Sequence, residues 1–151
     1  MWEENMVSTT FTHLSNEKQT KIRQALLKEF SEQPLAIAQV APIVKTAGIA
    51  RGAFYKYFDD LIDAYKYLYG IAMQDIHSDI HNKASGQLDP QFYLNQVEAF
   101  VKGAQDSQYF GLIKMHLMKN ESLVSQDNVD PTTVSSQEWA TMILSHEAIK
   151  E

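Results

Sequence analysis

Cysteine is absent from all 151 residues, which excludes disulfides, thiolate metal sites and a cysteine nucleophile. A chain without thiols fits a reducing compartment, and a cytoplasmic location is the expectation. Glycine and proline are scarce, at six and four residues, as in a mostly helical protein. No apolar run approaches the ~20 residues needed to span a bilayer, so no membrane is expected as a partner. Glu3 and Glu4 stand where a secretory signal would need a basic stretch, and no apolar stretch follows them. Residues 1–14 therefore read as a flexible tail. A glycine-rich phosphate loop, a G-x-S-x-G nucleophile turn and a paired-carboxylate arrangement are all missing. The expectation is no enzyme and no cofactor.

Apolar residues make up 44% of the chain, enough for one compact unit with a substantial core. The net charge of −6 is unevenly placed. Residues 1–58 carry seven Lys/Arg and five Asp/Glu, a balance of +2, whereas residues 59–151 carry six and fourteen, or −8. Such asymmetry suggests that one end meets an anionic partner and the other does not.

Hydrophobic spacing predicts helices throughout. Ile22, Ala25, Leu26 and Phe30 share a face between Ser15 and Phe30, with Ser15 or Asn16 as the cap and Lys18, Lys21, Lys28 and Glu29 largely elsewhere on the wheel. Pro34 ends that helix. A short second helix runs from about Gln39 to Ala47, with Pro42 in its first turn and Gly48 just past its end. A third covers about Ala50 to Tyr57. A long fourth runs from about Asp60 to Lys83 on a stripe that includes Leu61, Tyr65, Leu68, Ala72 and Ile76. Asp89-Pro90 opens a helix with Leu94, Val97, Phe100, Val101 and Ala104 inward. Another is expected from about Tyr109 to Val124 on Leu112, Ile113, Leu117 and Val124, and a last one from Asp130-Pro131 to about Ile149. The fold class is all-α: a three-helix head over 15–59, then a long linking helix and a small helical body over 60–151.

The stretch 39–58, QVAPIVKTAGIARGAFYKYF, carries the functional signal. A short helix, a glycine-centred turn and a second short helix can project that second helix into the major groove of DNA. Ile43, Val44 and Ala47 pack the turn, and Ile49, Phe54 and Phe58 face inward. Ala50, Arg51, Gly52, Ala53, Tyr55, Lys56 and Tyr57 remain as the candidate DNA-binding set. Arg51, near the helix start, suits a bidentate contact to a guanine edge, while Lys56 supplies only charge. Tyrosine hydroxyls suit phosphate oxygens, which position a protein without reading sequence. Gly52 would let the backbone come close to DNA. On geometry alone, a helical hairpin with exposed aromatics at a protein interface remains an equal alternative.

The segment AGIARGAFYKYF resembles the recognition segment of TetR/AcrR-type repressors, approximately A-G-[VI]-S-x-G-[ST]-[LF]-Y-x-[YH]-F. Ala47, Gly48, Ile49, Gly52, Phe54, Tyr55, Tyr57 and Phe58 match in register, IVKTAG resembles I-A-x-x-A-G, and the likeness extends over about residues 18–70. The resemblance implies a DNA-binding head, a linking fourth helix and a helical body that binds a ligand and dimerises. It also implies repression of an operator in double-stranded DNA, relieved by a small molecule. By the same likeness Tyr55 and Tyr57 are phosphate-contact candidates. Ala50 departs from the usual Ser or Pro and loses a hydroxyl cap. Asp60 stands where a phosphate-contacting lysine is common, and the chain is short for the family.

Tyr69, Met73, Phe100 and Tyr109 are candidates to line a pocket for an apolar or amphipathic effector. A homodimer through about residues 109–124 and 131–149 is expected, because pairing two heads on adjacent half-sites is how such proteins gain specificity. The alternative to an effector-controlled regulator is a helical protein-interaction module with a degenerate head. His77 and His81 have i, i+4 spacing, but H-S-D-I-H lacks a zinc-enzyme pattern and a third ligand, so no metal is expected. His13, His116 and His146 show no partner in the sequence.

Overall fold

A computed structural model of the chain describes residues 7–78 and 90–124, and these are all-helical. The helices are α1 (Thr9–Thr12), α2 (Asn16–Glu32), α3 (Val40–Ala47), α4 (Arg51–Tyr57), α5 (Leu61–Ser78), α6 (Pro90–Asp106) and α7 (Phe110–Met115), which runs into one π-helical turn, His116–Asn120. No strand occurs among the described residues. The expected helix over 131–149, and the His77/His81 pair as a pair, lie outside them.

Local chemistry fixes the ends of the head helices. Ser15 caps α2, its hydroxyl accepting from Lys18 N–H at 3.4 Å. Gly48 ends α3 at φ +69°, a left-handed conformation that costs an L-residue with a side chain about 1–2 kcal/mol. At the start of α5 the capping is reciprocal. Asp63 N–H donates to Asp60 Oδ1 and Asp59 N–H to Asp63 Oδ2, both at 2.8 Å. Asp60 is thus occupied as a helix cap, whatever it removes in charge.

Ile22, Leu26, Phe30, Ile43, Phe54, Phe58, Tyr65, Leu68 and Leu112 form one core, each essentially inaccessible to water. α2 packs against α5 and α7 as well as α3, so head and body share that core. At the α2–α7 crossing Gly111 sits where an added Cβ would lie 3.2 Å from Ser31 Cβ, so a larger residue would push the two helices apart.

Several expectations need correction. Residues 7–14 are not tail: Val7 and Phe11 are buried, and Ser8 N–H donates to the Tyr57 carbonyl at 3.1 Å. Phe11 reaches the Phe58 and Tyr67 rings at 5.4 and 5.2 Å, which is enough apolar contact to order the short helix. Leu94 is half exposed rather than inward. Glu29 is buried, its Oε1 accepting from Gln39 N–H at 3.1 Å. It serves the first turn of α3, which has no side-chain cap of its own. The helix expected over 109–124 changes register at the π turn. His116 does have a partner, Tyr65, whose hydroxyl lies 2.7 Å from its Nδ1.

Candidate nucleic-acid interface

α4 is seven residues long and is held from one side only. Phe54 and Phe58 are buried, packed on each other at 5.3 Å, and Ile49 is half-buried at the turn. That anchoring turns the rest of α4 outward. Ala50, Arg51, Gly52, Tyr55 and Lys56 are exposed, and Ala53 is half-buried at the edge. These six candidates therefore share one outer surface. Ala50 occupies the N-cap with extended backbone and makes no side-chain cap bond, as its methyl group requires.

Tyr57 stands apart from that set. It is half-buried, its ring meets Phe11 edge-on at 5.7 Å and its carbonyl accepts from Ser8 N–H. Its ring is thus part of the seam that ties α1 to α4. Helical spacing carries no sign of this seam, since Ser8 and Tyr57 are brought together only by the fold.

The outer face is held in shape as well as position. The Tyr55 ring meets buried Phe54 edge-on at 5.3 Å and 87°, and the Arg51 guanidinium carbon lies 5.9 Å from the Tyr55 ring centre. At Gly52 an added Cβ would meet nothing within 4 Å, so no internal contact explains the missing side chain. Lys45, in the last turn of α3, is exposed.

The effector candidates sit in the body. Tyr69, Met73 and Phe100 are half-buried against the core, and Tyr109 is buried with its hydroxyl donating to Asp75 Oδ2 at 2.9 Å. Tyr69 stacks on the His116 ring at 4.0 Å, and burial, with the Glu121 charge adding, pushes its hydroxyl up to about 12. Burial likewise raises the Tyr65 hydroxyl. Both stay neutral near pH 7, and the Tyr65 hydroxyl acts as a hydrogen-bonding group rather than a charge. On the same π turn Asn120 is fully buried, and its Oδ1 accepts from Leu35 N–H at 2.8 Å. An open groove of about 420 Å³ lies away from these residues, between α2 and α3, lined by Ala25, Lys28, Glu29, Glu32, Pro42, Lys45 and Thr46. No group of three metal-ligating side chains occurs among the described residues, and none of their helices is long and apolar enough to cross a membrane.

A short helix, a left-handed glycine turn and a second helix with a polar, cationic outer face define a helix-turn-helix head. Comparison with known proteins agrees. Residues 22–60 match the family model of bacterial regulatory proteins, tetR family. The match covers most of α2, both short helices and the cap of α5, so the likeness in sequence is to the head. A comparison with curated proteins gives no match. Among solved structures the chain is similar to a TetR family transcriptional regulator from Chloroflexus aurantiacus J-10-FL, with a TM-score of 0.64 and 22% identity. The alignment covers 95% of this chain and 61% of that one, so this chain spans about three-fifths of that regulator's length. At that identity the likeness is one of fold, and the fold is TetR-like.

Proposed function

We propose that the chain is a sequence-specific DNA-binding transcriptional regulator, with α4 as its recognition helix in the major groove. The observation that carries this reading is the outer face of α4. An exposed arginine, a glycine with open space before it, an exposed tyrosine and a lysine lie together on a helix pinned from behind by Phe54 and Phe58. Arg51 is the base-edge contact, and Tyr55 and Lys56 meet phosphates. Tyr57 contributes through its exposed portion while bracing α1.

The finer reading is a homodimeric repressor released by a small apolar or amphipathic molecule. Exposed Phe110, Met118 and Leu123 on the 109–124 segment support an interface between two copies there. The effector would bind beside Tyr69, Met73, Phe100 and Tyr109. Cytoplasmic action follows from a DNA partner.

Selection of duplexes from a random pool by the full chain tests the reading. Enrichment of a two-fold symmetric site, with half-sites about one helical turn apart, is the expected result. Binding that is indifferent to sequence and lost at moderate salt would point instead to a protein-interaction module with a degenerate head.

A further inference from the structure

Arg51 and Tyr55 lie one turn apart on α4, where i and i+4 side chains face each other. Side chains on a helix lean toward its N-terminus, so the Tyr55 ring is directed at Arg51 by its own backbone. The ring is not free to wander. Phe54, fully buried, meets it edge-on at 5.3 Å, which links an exposed side chain to the core of the head. The guanidinium carbon of Arg51 lies 5.9 Å from the ring centre, within reach of the negative face of the aromatic system. Among the described residues Arg51 makes no ion pair, so no carboxylate pulls it elsewhere.

We propose that Tyr55 is a positioning residue for base readout: its ring orients the Arg51 guanidinium before DNA arrives. The assignment rests on the reading of α4 as a recognition helix and adds a specificity role to a tyrosine otherwise counted as a phosphate contact. The two jobs are compatible in one geometry. A guanidinium is planar, with its N–H groups in the plane and its faces free. Held over a ring, it keeps its donor edge available for the O6 and N7 acceptors of guanine. Arginine otherwise loses much rotamer freedom on docking, and holding it in place beforehand removes part of that cost. The benefit goes only to sequences that present the matching acceptors, so it enters the specificity ratio rather than affinity for DNA at large.

The test separates ring from hydroxyl. The full chain and its Tyr55→Phe and Tyr55→Leu variants are titrated with the duplex enriched from a random pool and with a scrambled duplex, and the ratio of the two affinities is compared. Tyr55→Phe keeps the ring, so the ratio is expected to hold even where affinity for both duplexes falls. Tyr55→Leu removes the ring, and the ratio is expected to drop about two- to fivefold, the equivalent of one exposed cation–ring contact. In an Arg51→Ala background the same Tyr55→Leu change is expected to leave the ratio alone. A ratio untouched by Tyr55→Leu beside an intact Arg51, or lowered equally with and without Arg51, overturns the proposal. Unchanged helical circular dichroism in each variant excludes misfolding as the cause. The two possible failures are distinct. A pool from which nothing is enriched rejects DNA reading by the head, whereas an enriched duplex indifferent to Tyr55→Leu rejects the positioning role alone.

Discussion

Arg51 and Gly52 are neighbours on α4 that ask different things of DNA, and their variants separate recognition from stability. Arg51→Ala is expected to lower discrimination between matched and scrambled duplexes by about 1–3 kcal/mol, the worth of a bidentate base contact. It should leave the thermal midpoint nearly unmoved, because the side chain is exposed. Competition titrations measure the first effect, and an unchanged specificity ratio would remove Arg51 from the base-reading role. Gly52→Ala should move the two readouts in opposite directions. Space is open around its Cα, and alanine in place of a helical glycine adds roughly 0.5–1 kcal/mol of stability. The new methyl group, however, stands where the backbone is proposed to approach DNA. A variant that melts higher and binds as well as the parent would show that DNA keeps its distance there. The exposed placement of both residues was legible in the sequence, since it follows from position on one short helix. Glu29 was not. Its place on the wheel suggested solvent, but the fold carries it to Gln39 N–H, an unsatisfied donor at the start of another helix.

Elements show the same division between what is near and what is far along the chain. The limits of α2 and α3 and the start of α5 could be read from Ser15, Gly48 and Asp60, because capping acts within four residues. The ordering of α1 on α4 and the bond from Asn120 to Leu35, 85 residues apart, could not, since helical spacing carries no information about which helix lies opposite. The π turn escaped for a related reason. Leu112, Ile113, Leu117 and Val124 fit one uninterrupted helix by spacing, and only the packing of His116 and Asn120 shows the change of register. Asn120→Ala should leave Leu35 N–H buried without a partner, at about 1–3 kcal/mol. Urea midpoints measure it, and an unchanged midpoint would mean that water takes the vacated place. Asp63 gives a pH signature instead. Burial raises its carboxyl above the ordinary aspartate range, the Asp59 and Asp60 charges add to the rise, and the Asp59 N–H bond and Lys66 oppose it. Between the ordinary and the raised value the folded chain binds more protons than the unfolded one, so stability from this group falls as pH rises through that window. Asp63→Asn keeps an oxygen for Asp59 N–H but carries no charge. The variant is therefore expected to gain on the parent as pH rises through the window and to hold a constant lead above it. Parallel stability–pH profiles for the two proteins would contradict this.

Across the whole molecule, the polar contacts of the core tie the π turn to the linking helix and to the head. Only three residues separate α4 from α5, so any shift of α5 is passed to the proposed recognition helix with little slack. The π turn is joined to α5 through His116, which bonds Tyr65 and stacks on Tyr69, and to the loop before α3 through Asn120. A compound lodged beside Tyr69 and Met73 would therefore press on a turn joined both to the linking helix and to the head. In a dimer, a small rotation there changes the separation of two recognition helices that must meet major grooves about 34–36 Å apart. The effect is bounded by the compound's differential affinity for the two arrangements, typically ~1–3 kcal/mol, or roughly 5- to 150-fold in operator binding. Thermodynamic reciprocity makes this testable without knowing the natural effector. A hydrophobic or amphipathic compound that raises the thermal midpoint is titrated into the full chain with and without the enriched duplex. The expected outcome is that DNA weakens compound binding by the same factor by which the compound weakens DNA binding. Replacing Tyr69 with alanine should reduce compound affinity in both titrations while leaving the DNA specificity ratio alone, because Tyr69 belongs to the body and not to α4. If every stabilising compound binds with equal affinity in the two titrations, the body is not a switch for such molecules, and control of the head must enter by another route.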